Sequence, residues 1–539
     1  MSNVPWTVGR YVIETVAANG IDTAFGIPGV HNIELYRGVG AARLRHVLAR
    51  HEQNAAFAAD GYARTSGRPA AVLVISGPGL SNALTAIAQA YSDSIPMLVI
   101  ASTPVRASLG RRWGVLHELP DQRALAAGVT RLALHANSAA EVRAHLAAAF
   151  ADLAGGRRRP VYLGIPLDLL AEITELRPER FAAASRAPQA NPPALAAARR
   201  LLESAERPLI IAGGGARHAG AALTRLLEAL DGYLVTTVAA KGVIPESHPA
   251  NLGASLPYRA TQELLAAADV VVAAGTELAE TDIYTTVRVT VPGKVIRIDI
   301  DAAQLAEPAT QEVAIHADAG AALAALADGL PSRRGWRCAQ GDAGPRRATI
   351  EAQIGEHGGT LLGVVRSLRA ALPADGVVFS DMTQVAYTGN YAFAADRPDS
   401  WFHPCGYGTL GFALPAAIGA KIAQPERPVV ALAGDFGVQF TLQELLTAAE
   451  LQLPLPVVVW NNSALKQIRD DMVAAGIEPV GVEGRNPDFE ALAAALGAEA
   501  LRVRGPEALS AAIGRALSAR GPTLVEVRAV DFHTALARH

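Results

Sequence analysis

Short apolar runs recur along the chain, and most of them stop on small or polar residues. Val429–Ala433 is one such run, and it ends at Gly434-Asp435-Phe436-Gly437. Thr441–Leu451 reads as a helix. Leu455–Trp460 is a second apolar run, ending at Asn461-Asn462. Two buried parallel strands joined by a crossover helix account for this pattern. Both polar tips then fall at the carboxyl ends of neighbouring strands, where open α/β sheets bind ligands.

The same alternation fills the rest of the chain. Val8–Asn19 reads as an amphipathic helix with Gly20 at its C-terminal end. Strands are expected over Thr23–Ile27, His46–Leu48, Ala71–Ile75 and Pro96–Ala101, with a helix from about Ala55 to Arg64. A stretch rich in Pro, Ala and Arg, 177–193, reads as a linker. Further strands are expected at Pro208–Ala212, Tyr233–Val238, Asp269–Ala273 and Lys294–Ile300. Gly213-Gly214-Gly215 is either a phosphate cradle at a helix start or a tight turn packing a helix on its sheet. A second linker is expected over 328–355. Beyond it come a strand, Val377–Asp381, a Gly-rich entry, Gly406–Leu414, to the helix Pro415–Ala423, and a closing strand, Thr523–Val527. Strand-loop-helix alternation throughout predicts an α/β protein built from doubly wound parallel sheets.

Composition narrows this picture. The chain has 539 residues, half of them hydrophobic, enough for about three or four domains. A net charge of −3 without long basic runs gives no reason to expect nucleic acid as a partner. Two distant cysteines, Cys338 and Cys405, exclude a disulfide framework and point to a reduced, cytoplasmic setting. The N-terminal residues Met1–Trp6 carry no secretory pattern, and no apolar run is long enough to span a bilayer.

The chemistry lies at the strand tips. Asp435 and the amide oxygen of Asn462 are hard donors suited to Mg²⁺, which usually also takes phosphate oxygens and water. Gly434 and Gly437 let backbone approach a phosphate closely. This stretch resembles the metal-diphosphate motif of the thiamine-diphosphate (ThDP) enzymes, which opens with Gly-Asp-Gly and closes with Asn-Asn. Phe436 departs from it, standing where Gly is usual, and puts the local turn in question. Ala464 aligns with the backbone metal ligand of that motif. The segment Arg50–Arg64 resembles the activating-glutamate segment of acetolactate synthases and related decarboxylases. That resemblance makes Glu52 the acid that exchanges a proton with the coenzyme, leading to an ylide and then an enamine. Gly406–Phe412 resembles the loop that holds ThDP bent, with Leu410 as the wedge and the Gly408 carbonyl as acceptor. Thr383 and Gln384 align with diphosphate contacts. Pro28 and Gly79 lie in loops that face the coenzyme in relatives.

The resemblance covers nearly the whole chain. It implies a pyrimidine-binding domain (residues 1–176), a central Rossmann-like domain (191–330) and a diphosphate- and Mg²⁺-binding domain (355–539). It also implies a shared site between subunits, hence a homodimer or homotetramer. FAD, common in the central domain of acetolactate synthases, has no convincing segment here. Within the family the chain looks like the type that decarboxylates 5-guanidino-2-oxopentanoate, on Gly26–Gly38, Trp113–Glu118 and Gly434–Thr441. His31, His117 and Glu118 are then the candidates to address the substrate, Glu118 by pairing with a guanidinium. Lys466 stands where a small residue is expected; turned inward, it would disfavour a cationic substrate. The expected activity is non-oxidative decarboxylation of a 2-oxo acid. The alternatives are a carboligase that passes the same enamine to a second carbonyl, and a non-catalytic nucleotide-binding protein. A dehydrogenase is disfavoured because the spaced dinucleotide fingerprint is absent.

Overall fold

The computed structural model describes residues 5–181, 187–284, 291–306 and 311–536. Met1–Val4 and residues 182–186 of the first expected linker therefore lie outside the described residues. Three parallel sheets follow one another along the chain. The first runs, edge to edge, Arg45–Leu48, Thr23–Gly26, Ala70–Val74, Met97–Thr103, Val161–Pro166 and Leu132–His135. The second runs Val313–His316, Lys294–Asp299, Val270–Ala274, Pro208–Ala212 and Tyr233–Thr236. The third runs Trp401–Phe402, Val377–Ser380, Val429–Gly434, Leu455–Asn461, Pro522–Arg528 and Glu499–Val503. Central strands such as Met97–Thr103 and Val429–Gly434 are buried along their whole length. Helices cover both faces of a parallel sheet, so these strands are apolar throughout rather than alternating. No described helix is long and apolar enough to cross a membrane.

The predicted crossover is present. Val429–Gly434 pairs in parallel with Leu455–Asn461, with Gly434 opposite Trp460. Two short helices, Asp435–Gln439 and Glu444–Glu450, make the connection rather than one. The second expected linker is largely helical, with Trp336–Gln340 and then Gly344–Ala371, kinked at Gly358. Its Gly and Arg content hides a buried stripe: Trp336 packs on Tyr233 with ring centroids 5.3 Å apart, and Ile350 and Ile354 are buried beside it. Residue 355 thus falls inside a helix.

The first and third units pack on each other through the helices Glu52–Ser66 and Ala413–Ala423. Both are buried almost all round, as interior helices are. Cβ atoms added at Gly61 and Gly419 would collide with the carbonyls of Ala416 and Ala58, so the backbones meet directly there. Glu444 ties the same joint. Its carboxylate accepts from the Arg50 backbone N–H (2.7 Å) and from Asn54 Nδ2 (3.0 Å). Burial pushes that carboxyl above its usual range. In the middle unit the triplet Gly213–Gly215 admits the backbone of Gly275 from the adjacent strand tip, and Gly213 and Gly215 donate to the Ala274 and Gly275 carbonyls. The tight-turn reading accounts for these glycines.

Candidate active site

Two groups of the expected residues assemble at the carboxyl ends of the first and third sheets. In the first, the helix begins at Glu52, three residues earlier than the periodicity suggests. His51 is its N-cap and accepts from the Gln53 N–H at 3.2 Å, which gives this histidine a structural role. Glu52 is therefore in the first helical turn, not on a strand end. Its Oε2 accepts from Asn82 Nδ2 at 3.0 Å, near the start of the helix Pro78–Ser92. The first turn of that helix holds the buried Gly79, while Pro28 is exposed on the loop after Thr23–Gly26.

His31 and His117 come together. Their rings are 4.7 Å apart, edge to face, and His31 Nδ1 lies 2.5 Å from Ser76 Oγ. Burial, with the neighbouring His117, lowers the pKa of His31, so a neutral imidazole is favoured at pH 7. His117 has φ +63°, and its buried Nδ1 has no hydrogen-bond partner. Glu118 uses one oxygen to accept from the Gly114 N–H at 2.8 Å, closing its own loop. Ser76 has no signal in the sequence, and Asn82 stands there only as the end of Gly77–Asn82, a segment that resembles a family loop beside the reacting carbon. Each is an ordinary turn or helix-start residue until its partner is known.

In the third sheet, Asp435 is 2% exposed at the tip of Val429–Gly434. Burial raises its pKa, and a 2.6 Å hydrogen bond from Asn486 Nδ2 acts the other way. The same Nδ2 donates to Asn461 Oδ1 at 2.9 Å. Asn462 Oδ1 accepts from the Ala464 N–H at 3.2 Å, folding the Asn-Asn tip back on itself, with Ser463 at φ +57°. Phe436 does not strain the turn. It lies in the helix Asp435–Gln439, and its ring tip would meet a Cβ on Gly484 at 2.9 Å. A glycine 48 positions on gives the ring its space, which no local pattern reveals.

Thr383 is the N-cap of the helix Gln384–Ala392, yet its side chain makes no capping bond. The first-turn N–H groups are thus left to an external acceptor. Gln384 Nε2 lies 3.4 Å from Gln467 Oε1. Behind them Asp381 is fully enclosed, accepting from the N–H groups of Met382 and Gly411, each at 2.8 Å. Burial pushes its carboxyl up to about 7. In the sequence Asp381 is only a strand end; its task, holding the Gly-rich loop, needs the tertiary contact. In that loop Gly408 is exposed at φ +69° and Leu410 is half-buried. Lys466 pairs with Asp470 one turn along its own helix, so its charge is met locally.

The donor set fits magnesium held on a diphosphate. No cluster of three or more His, Cys, Asp or Glu suited to a metal occurs among the described residues. One carboxylate, an amide oxygen and a carbonyl suit a hard ion that also takes phosphate oxygens. Uncapped helix N–H groups at the neighbouring strand tip suit the phosphates themselves.

Three family models match the chain. Residues 6–125 match the N-terminal TPP binding domain of thiamine pyrophosphate enzymes, 195–326 their central domain and 381–527 their C-terminal TPP binding domain. The chain belongs to the thiamine pyrophosphate enzyme family. It is 47% identical over 527 residues to a probable 2-ketoarginine decarboxylase of Pseudomonas aeruginosa, covering 97% of this chain and 94% of that one. It is 29% identical over 534 residues to the acetolactate synthase isozyme 1 large subunit of Escherichia coli, with coverage of 97% and 94%. Glyoxylate carboligase of Escherichia coli O157:H7 is 31% identical over 555 residues, with coverage of 96% and 91%. The three α/β units follow the family's order, and thiamine diphosphate, another name for thiamine pyrophosphate, is the family's coenzyme.

Proposed function

We propose that this enzyme decarboxylates 5-guanidino-2-oxopentanoate, using ThDP and Mg²⁺. The observation that carries this reading is the near full-length 47% identity to a relative named as a probable 2-ketoarginine decarboxylase. Bound ThDP supplies the attacking carbon and the electron sink. The chain's residues do the rest. Asp435, Asn462 and the Ala464 carbonyl hold the metal. Thr383, Gln384, Gly434, Phe436 and Gly437 frame the diphosphate, largely through backbone. The Gly408 carbonyl and the Leu410 side chain hold the rest of the coenzyme. Glu52 keeps its proton-exchanging carboxyl oriented through the Asn82 bond. His31, fixed by Ser76 and kept neutral, exchanges a proton with the substrate side of the cleft, and His117 shares that face. Glu118 has a second oxygen for a guanidinium. The Lys466–Asp470 pair removes the electrostatic objection to a cationic tail.

Within one chain no hydrogen bond or ion pair joins Glu52 to the Asp435 tip among the described residues. A homodimer, or a tetramer of such dimers, pairing the two half-sites across subunits is therefore part of the proposal. So are domain limits close to 1–176 and 191–330, with the third unit opening at the helix that starts at Gly344 rather than at 355. Two free cysteines suit a reduced cytoplasmic location.

The identities to acetolactate synthases and glyoxylate carboligase favour a second reading, carboligation. A panel of 2-oxo acids with ThDP and Mg²⁺, scored for CO₂ and for coupled product, separates the two. The expected result is CO₂ with 4-guanidinobutanal from the guanidino acid. An inert guanidino acid beside turnover of small 2-oxo acids rejects the substrate. An acyloin or acetohydroxy acid product rejects the decarboxylase.

A further inference from the structure

The helices Glu52–Ser66 and Pro78–Ser92 pack side by side. At one end they bring together Glu52 and Asn82. At the other they enclose a polar cluster that no part of the proposed chemistry uses. Arg64 is 7% exposed and Asp60 fully buried. Arg64 Nε donates to Asp60 Oδ1 at 2.5 Å, and its Nη2 donates to Asp93 Oδ2 at 2.7 Å. Gln89 Nε2 donates to the same Asp93 oxygen at 2.8 Å. The guanidinium also faces the Phe402 and Phe412 rings, at 5.9 and 5.2 Å. Burial works against the Arg64 charge, but the two carboxylates more than offset it.

The cluster does not end in its own domain. Asp93 Oδ1 accepts from the Gly406 N–H at 2.8 Å, and Gln89 Oε1 accepts from Thr409 Oγ1 at 3.2 Å. These two bonds grip the Gly-rich loop on either side of Gly408. A Cβ at position 406 would sit 2.7 Å from Asp93 Oδ1, so the grip itself requires glycine there. A buried acid–arginine–acid chain is an expensive way to gain stability, since an apolar packing of equal volume often does as well. What it adds is direction, because each carboxylate oxygen is aimed at one donor.

We propose that Asp93, oriented by Arg64 and Asp60, and Gln89 are positioning residues that preset the Gly406–Thr409 loop for the coenzyme. The proposal rests on the reading of that loop as a ThDP contact. A loop already held in its bound shape spares the ordering cost of binding. The effect therefore falls on ThDP affinity more than on turnover once the coenzyme is saturating.

The test is calorimetric titration of ThDP at saturating Mg²⁺ into the full-length enzyme and its Asp93→Ala, Asp93→Asn and Thr409→Val variants. Turnover at saturating ThDP and thermal melts are recorded alongside. Asp93→Ala is expected to weaken ThDP binding by about tenfold or more, each tenfold being about 1.4 kcal/mol. Asp93→Asn, which keeps one acceptor for Gly406, recovers part of the loss. Thr409→Val, which leaves the charged cluster whole, weakens binding by about threefold, the scale of one neutral hydrogen bond. It carries the test if Asp93→Ala does not fold. Unchanged ThDP affinity in both Asp93→Asn and Thr409→Val, with only lowered melting temperatures, makes the cluster merely structural and overturns the proposal. Failure of the unmodified enzyme to bind ThDP instead overturns the reading of the loop itself.

Discussion

At the scale of single residues, the proposed chemistry turns on the Glu52 carboxyl, held by Asn82. Asp435 and Asn462 are legible in the sequence because hard oxygen donors fall at strand tips, and Glu52 only through the resemblance of its segment to the family's. Glu52→Gln keeps the size and an acceptor for Asn82 but cannot exchange a proton; turnover is expected to fall by about 10²–10⁴ with an unchanged melt. Unchanged turnover removes Glu52 from its role. Asn486, Asp381 and Gly484 were illegible because each acts on a residue 25 or more positions away. His403 is a third kind of case. Burial and the Arg64 charge push its pKa down to about 3, and it shares a 2.9 Å hydrogen bond with Ser380 Oγ. The unfolded chain takes up a proton near pH 6.5 that the folded one refuses. The stability tied to a neutral His403 is therefore full above that pH and is lost as pH falls towards 3. His403→Gln is expected to lose less stability between pH 7.5 and 5, by about 2 kcal/mol in denaturant melts. Equal losses in both proteins reject the assignment.

At the scale of elements, apolar runs located most central strands and the edges Arg45–Leu48 and Tyr233–Thr236, but neither the internal Val161–Pro166 nor the other edges. Leu132–His135 is half-buried along its length, and Val313–His316 alternates buried with exposed. Neither has the continuous apolar run of a covered strand. The helix starting at Glu52 was placed late because its first turn is polar and its cap is a histidine, not Ser, Thr, Asp or Asn. The two helices that join the first and third units are poor in large side chains because their backbones touch. Gly419→Ala drives a Cβ into the Ala58 carbonyl and is expected to cost about 1–3 kcal/mol in thermal or denaturant melts. A stability change within a few tenths of a kcal/mol shows that the helices separate at little cost.

At the scale of the whole molecule, each chain carries two half-sites, and the proposal pairs them between subunits. Mixing refolded Glu52→Gln and Asp435→Ala subunits tests this directly. If sites are shared, half the dimers are hybrids with one intact site each, so about a quarter of the sites regain activity. If each chain builds its own site, the mixture stays as inactive as its parts. Exposed apolar side chains lie on the units that carry both half-sites, among them Val30 and Trp113 on the first unit and Ile468 and Val480 on the third. They suit surfaces that a second copy covers.

The sequence by itself determined the α/β class, the strand tips and the metal-diphosphate pattern, because these depend on apolar runs and on spacings within about 35 residues. The full-length resemblance carried that reading to Glu52 and the Gly-rich loop. Only the tertiary structure decided what holds them: Asn82 on Glu52, Asn486 on Asp435, Gly484 under Phe436, and Asp93 on Gly406 across 313 positions. The physical reason is that a strand or a helix end leaves a repeating trace in hydrophobicity. A hydrogen bond between distant loops depends on one atom meeting another and leaves none.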